Sequence, residues 1–255
     1  MVITMAYQRL PLEQYFIDTA NDPKRCGTPT CPPDYRSIRY PCGGKLSHLL
    51  GMHHDVNYAI GYVPERDVIQ IHFQKTCGLT DWFANFEFAA NYYDAIEFEG
   101  KPLQLRVHRG WAEMYLAAKR VVRAGWQALH EAHPTAETEI LGWSLGSGQA
   151  MLCAQDLNYN FGLRSRVYTF GSVKPFRARP DEVEPLARYL SGVCASCANV
   201  ADVNDIVTYM PPFRGYTAIR RVTVQTQKKR FWRLMNPYHY HVHYYNPALY
   251  RDLKE

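Results

Sequence analysis

Gly142-Trp143-Ser144-Leu145-Gly146 constrains the fold of this chain more than any other stretch. It follows the short apolar run Glu139-Ile140-Leu141 and opens into Ser147-Gly148-Gln149-Ala150-Met151-Leu152-Cys153-Ala154, which suits a helix. A strand that turns sharply into a helix, with serine at the apex, holds a hydroxyl on strained backbone above a sheet. Both glycines are required because a Cβ at either position would collide where strand and helix pass closely. The competing reading is a glycine-rich turn with an idle serine.

At 255 residues the chain suits one large α/β domain with a substantial core. Apolar residues make up 47% and charged residues 21%, which excludes a disordered or membrane-embedded class. No apolar run approaches the 18 residues or so of a transmembrane helix. The start, Met1-Val2-Ile3-Thr4-Met5-Ala6-Tyr7-Gln8-Arg9, lacks the basic-then-apolar pattern of a secretory signal, so a cytoplasmic protein is expected. Seven cysteines leave at least one outside any intrachain disulfide, which fits a reduced compartment. Cys194 and Cys197 form a lone C-x-x-C, either half a zinc site or small buried residues beside a strand. With no second ligand pair at matching spacing, no metal is expected there.

The net charge of +5 is mild, but Arg220, Arg221, Lys228, Lys229, Arg230 and Arg233 cluster around Phe231 and Trp232. Such a cluster attracts anionic lipid or nucleic acid. Ile219-Arg220-Arg221-Val222-Thr223-Val224-Gln225 reads better as a strand followed by a solvated turn. No nucleic-acid motif accompanies it, and no nucleic-acid partner is expected.

Residues 1–50 read as an irregular N-terminal extension, and 51–255 as the main domain. Residues 58–63 and 67–73 are predicted strands joined by a turn at Pro64-Glu65-Arg66. Asp81 is placed to cap a short helix through Phe88. A long helix over 109–130 is predicted from Trp111, Tyr115, Ala118, Val122 and Trp126 at helical spacing, with Pro134 just beyond. After the elbow come a strand at 166–171, a helix at 180–190 and a strand at 198–201. A last helix is expected from Asn246-Pro247. Strands alternating with helices imply a mostly parallel central sheet with helices on both faces. In such a sheet chemistry sits at the carboxyl ends of the strands.

A serine hydroxyl needs an imidazole to take its proton and a carboxylate to orient that imidazole. Downstream of Ser144 the acid candidates are Asp202 and Asp205, and the base candidates are His239, His241 and His243. That order, serine then acid then histidine, is the order of α/β-hydrolases.

Several blocks then align with one family. Residues 68–76 followed by Asp81-Trp82-Phe83-Ala84-Asn85 resemble a strand ending in F-R-G-T/S and then D-W-x-x-N. Val107-His108-Arg109-Gly110-Trp111 is similar to V-H-x-G-F, and the elbow to G-H-S-L-G. Tyr168-Thr169-Phe170-Gly171-Ser172 matches Y-T-F-G-S/A, and Asn204-Asp205-Ile206-Val207 with Pro211-Pro212 resembles N-D-I-V-P-x-x-P-P. Over residues 58–250 the chain resembles the class 3 lipases, which carry the α/β-hydrolase fold.

The resemblance implies Ser144 as nucleophile, Asp205 as acid and His241 as base, with His243 the alternate and His239 third. It implies an oxyanion hole from the Leu145 N–H and Thr76. The implied reaction is two-step acyl transfer on lipid acyl esters, without cofactor or metal, at a membrane or micelle surface. Soluble acyl esters are the neighbouring expectation, and an inactive binding or structural protein on the same scaffold is a third. Three departures stand out: Gln74-Lys75 for Arg-Gly, Trp143 for the elbow histidine, and Thr208-Tyr209-Met210 for Pro-Arg-Leu. Lipases of this family carry a lid in the window 87–98. Here Phe88, Tyr92 and Ile96 fall at helical spacing, which suits either an amphipathic lid or simple core packing.

Overall fold

A computed structural model describes residues 36–41, 53–73, 90–202, 204–219 and 221–224. In chain order its first elements are β1 (Arg36–Pro41), β2 (His53–Val63), β3 (Val68–Phe73), β4 (Ala90–Phe98), β5 (Lys101–His108) and α1 (Arg109–Ala132). Next come β6 (Glu137–Trp143), α2 (Leu145–Phe161), β7 (Ser165–Phe170), β8 (Phe176–Arg177) and α3 (Val183–Val193). β9 (Cys194–Asp202), β10 (Tyr216–Thr217) and β11 (Arg221–Val224) complete the set.

The main sheet runs β1-β2-β3-β6-β7-β9-β11. β1, β2 and β3 pair antiparallel, and every later junction from β3 to β11 is parallel. This is the mostly parallel sheet expected from the alternation. All six residues of β3 are buried, so both faces of the sheet are covered there. α1, α2 and α3 form one layer, with α2 touching both of its neighbours.

Helix composition follows from position in that layer. α1 buries the expected stripe Trp111, Tyr115, Ala118, Val122 and Trp126, plus Ala112 and Met114. α2 is different, because every residue from 146 to 157 is buried. A helix wrapped on all sides cannot show one apolar stripe, and the sequence accordingly lacks one. Its single buried carboxylate, Asp156, is held by α1. Arg123 grips it through Nε at 2.7 Å and Nη2 at 2.5 Å, with Lys119 Nζ at 3.2 Å and the Tyr115 hydroxyl donating at 2.8 Å. A carboxylate this deep is tolerated only when paired so fully.

Four elements differ from the sequence reading. Arg36–Pro41, within the stretch read as irregular, is an edge strand of the main sheet. Asp67, read as strand, sits in the left-handed region at φ 49°, with its carboxylate accepting from the Tyr62 and Thr135 hydroxyls. The helix expected from 180 starts as a 3-10 turn at Pro180–Glu182. Ala90–Phe98, most of the expected lid window, is a strand. It pairs with β5 through a two-residue hairpin at Glu99 and Gly100, both at positive φ. With β8 and β10 it makes a second, four-stranded antiparallel sheet. Ile96 is buried while Glu97 is exposed, an alternation of period two that helical spacing overlooked. The helices expected from Asp81 and Asn246 lie outside the described residues.

Burial sets an acid limit on this fold. It lowers the imidazole pKa of His72 to about 3 and of His108 to about 4. An unfolded histidine titrates near 6.5, so below that pH the unfolded chain binds protons that the folded chain refuses. At pH 5.5 each ring therefore removes about 1.4 kcal/mol of stability, and the loss grows toward the folded values. The melting temperature is expected to fall from pH 7 to pH 5. In His108→Asn the pH slope of stability should be shallower by up to about 1.4 kcal/mol per unit between pH 4 and 6.5. An identical slope in the variant would contradict this.

Candidate active site

β6 ends and α2 begins at Ser144, whose backbone stands at φ 57° and ψ −122°. An L-residue adopts that conformation only when its surroundings impose it. Two anchors do so. The Ser144 N–H donates to the Phe170 carbonyl at 2.8 Å, and the Ser144 carbonyl accepts from the Ser147 N–H at 3.0 Å. The crossing is also tight. A Cβ on Gly142 would lie 2.2 Å from the Gly146 carbonyl oxygen and 2.9 Å from the Ala150 Cβ. The glycine requirement read from the sequence holds at 142 for that reason.

Ser144 is 5% exposed, so it is largely shielded from open solvent. Leu145, directly after it, is the first residue of α2. N–H groups in a first helical turn have no intrahelical acceptor, and the helix dipole adds positive potential at this end. The Leu145 N–H therefore belongs to a set of backbone donors suited to developing negative charge. Trp143 is buried beneath the elbow, pairing in register with Phe170.

Asp202 and Asp205 follow at the carboxyl end of β9, and both are buried. Asp202 Oδ1 accepts from the Asn204 N–H at 2.8 Å. Asp205 Oδ1 accepts from the Val207 N–H at 2.9 Å, capping a 3-10 turn at Ile206–Tyr209. A carboxylate carries acceptor sites on both oxygens, so this cap is compatible with a second role. Thr208, one of the departures noted above, pins the same turn. Its hydroxyl bonds the Asp205 carbonyl at 2.8 Å and the Asp202 carbonyl at 3.2 Å.

Sheet order brings the nucleophile and acid candidates to one edge. β7 alone separates β6 from β9, and the three strands are parallel. Two strand spacings amount to about 10 Å, a gap that one imidazole between two inward-reaching side chains can close. Thr76, His239, His241 and His243 lie outside the described residues. Cys194 and Cys197 are buried thiols of β9, and Cys197 Sγ donates to the Ile219 carbonyl at 3.6 Å. The strand expected around 219–225 is β11, paired parallel with β9.

Ser147 was not singled out by the sequence. It is fully buried, and its hydroxyl donates to the Ser144 carbonyl at 2.5 Å while accepting from the Val173 N–H at 3.1 Å. A serine in a helix's first turn carries no spacing signal that marks such a role.

The family profile Lipase (class 3) matches residues 70–215, more than half of the chain. No match to a curated protein was found. Among solved structures, a refined Rhizomucor miehei triacylglyceride lipase is similar at 18% identity and TM-score 0.59, covering 88% of this chain and 82% of that one. A triacylglycerol lipase whose catalytic centre is described as a serine protease triad is 20% identical, with TM-score 0.60, covering 84% of this chain and 79% of that one. Against a deletion mutant of the Rhizomucor miehei lipase propeptide complex, identity is 22% and TM-score 0.54. That match covers 67% of this chain but spans only 52% of the other. At these identities the likeness is one of fold.

The elbow gives a direct stability test. Gly142→Ala places a methyl group against backbone rather than a movable side chain, so it should destabilise by about 3 kcal/mol or more. The urea midpoint is expected to fall accordingly, and an unshifted midpoint would show that strand and helix do not cross this closely.

Proposed function

Because this chain belongs to the class 3 lipase family, we propose that it hydrolyses carboxylic esters, lipid acyl esters foremost, through a Ser144–His241–Asp205 triad. The family supports ester hydrolysis of the lipase type. The observation that carries it is the backbone of Ser144. A φ of 57° at a non-glycine residue, anchored at N–H and carbonyl, is strain kept at the junction of strand and helix.

In this reading the His241 imidazole takes the Ser144 proton while Asp205 fixes its tautomer and balances its charge. The serine oxygen attacks the ester carbonyl. The oxyanion of the tetrahedral intermediate is held by the Leu145 N–H and Thr76, where losing one donor typically costs about 2.7–4 kcal/mol of barrier. The intermediate collapses, the alcohol leaves with a proton from His241, and Ser144 holds the acyl group. Water deprotonated by the same histidine then releases the acid and restores the serine.

Short soluble esters are the second reading, and one observation favours keeping it. Residues 90–98 are a paired strand, which withdraws that stretch from service as a helical lid over a lipid-facing pocket. A panel of esters of rising chain length, in monomeric and micellar form, separates the two.

Ser144→Ala is expected to lower turnover of a short-chain p-nitrophenyl ester by about 10⁴- to 10⁶-fold. His241→Ala should do similar damage and His243→Ala little. Unchanged activity in Ser144→Ala would remove the serine from the reaction and favour an inactive scaffold, while the reverse histidine result would move the base to His243.

A further inference from the structure

We infer that Ser147 is a positioning residue for the triad, acting as one end of a hydrogen-bonded strap that couples the nucleophile's turn to the acid's turn. This rests on the hydrolase reading above and extends it to a residue outside the triad and the oxyanion hole.

The strap can be followed bond by bond. Ser147 Oγ–H donates to the Ser144 carbonyl, and the same oxygen accepts from the Val173 N–H. Val173 lies in the loop that follows β7, the strand between those bearing the nucleophile and the acid. One residue on, the Lys174 N–H donates to the Met210 carbonyl at 2.9 Å. The Met210 N–H in turn donates to the Val207 carbonyl at 3.0 Å, and the Val207 N–H donates to Asp205 Oδ1 at 2.9 Å. The loop after β7 thus holds the elbow on one side and the acid turn on the other.

Burial gives these bonds their leverage. Ser147 and Val173 are fully buried, and Met210 is 8% exposed. A buried N–H that loses its acceptor finds no water to replace it, so the loop must shift to satisfy it. Ser147 is the one side chain in the path between Ser144 and Met210, and the other links are backbone. Its hydroxyl can be removed by a point substitution that leaves the backbone, the acid and the nucleophile in place. A displacement of about 1 Å between catalytic groups typically lowers the chemical step by about 100-fold while leaving binding intact.

Ser147→Ala is expected to lower kcat for the p-nitrophenyl ester by about 10- to 100-fold with KM within about twofold. Ser147→Thr, which keeps the hydroxyl, should recover most of that loss. Since the serine acts through the triad geometry, adding Ser147→Ala to Asp205→Asn should reduce kcat by no more than about threefold beyond Asp205→Asn alone. Hydrogen exchange reads the strap without any turnover. Peptides covering 171–175 and 205–210 should both exchange about tenfold faster in folded Ser147→Ala than in the parent.

Multiplying losses in the double variant, or faster exchange confined to 171–175, would overturn the coupling. Ser144→Ala run in parallel separates the claims. Turnover that survives it removes the hydrolase reading, whereas turnover lost there and intact in Ser147→Ala removes the strap alone.

Discussion

A strand and a helix can meet head-on at 142–146 only if the backbone between them takes a shape that L-residues avoid. Gly142 supplies the room, and Ser144 takes the strain at φ 57° and ψ −122°. Such strain persists because bonds on both sides over-determine it: Phe170 holds the N–H of Ser144, while Ser147 holds its carbonyl. Everything proposed for the site follows from this turn. It puts Ser144 at the carboxyl end of β6 and the N-terminus of α2, with the proposed acid two strands away.

The rest of the fold keeps that turn from relaxing. α2 is buried from 146 to 157, fixed beneath by β3, β6 and β7 and flanked by α1 and α3. Asp156 adds a lock between α1 and α2 through Arg123, Lys119 and Tyr115. Breaking one partner of so buried a set typically costs several kcal/mol, because the carboxylate would be left without full compensation. The helix whose first N–H groups are proposed as oxyanion donors is therefore held on several sides by the described elements. Preorganised donors do not have to reorient as charge develops, and this is where their catalytic value lies.

Much of this was legible in the sequence because it rests on short-range pattern. The stripe from Trp111 to Trp126 is a local period, and the G-x-S-x-G turn is a local steric requirement. The choice of Asp205 over Asp202 as acid stands on the resemblance at Asn204-Asp205-Ile206-Val207, since the two aspartates look alike as sequence. What escaped reading depends on partners far along the chain. Phe88, Tyr92 and Ile96 at helical spacing suggest a lid or core packing, whereas the Glu99-Gly100 hairpin and the pairing to β5 make 90–98 a strand. Ser147 and Asp156 are ordinary residues in a helix until Val173 in one case, and Arg123 in the other, is brought against them by folding. The expected roles of Thr76, His241 and His243 lie outside the described residues and stand on the family resemblance.

The proposed reaction requires the Ser144 hydroxyl to be a nucleophile activated by its position in the fold. Treating the native protein with diethyl p-nitrophenyl phosphate and mapping the product by peptide mass spectrometry tests it most directly. One phosphoryl adduct per chain is expected, on Ser144, formed in step with loss of ester turnover and suppressed once the protein is unfolded. Inactivation with the adduct on any other residue, or full turnover by protein carrying the adduct on Ser144, would contradict it.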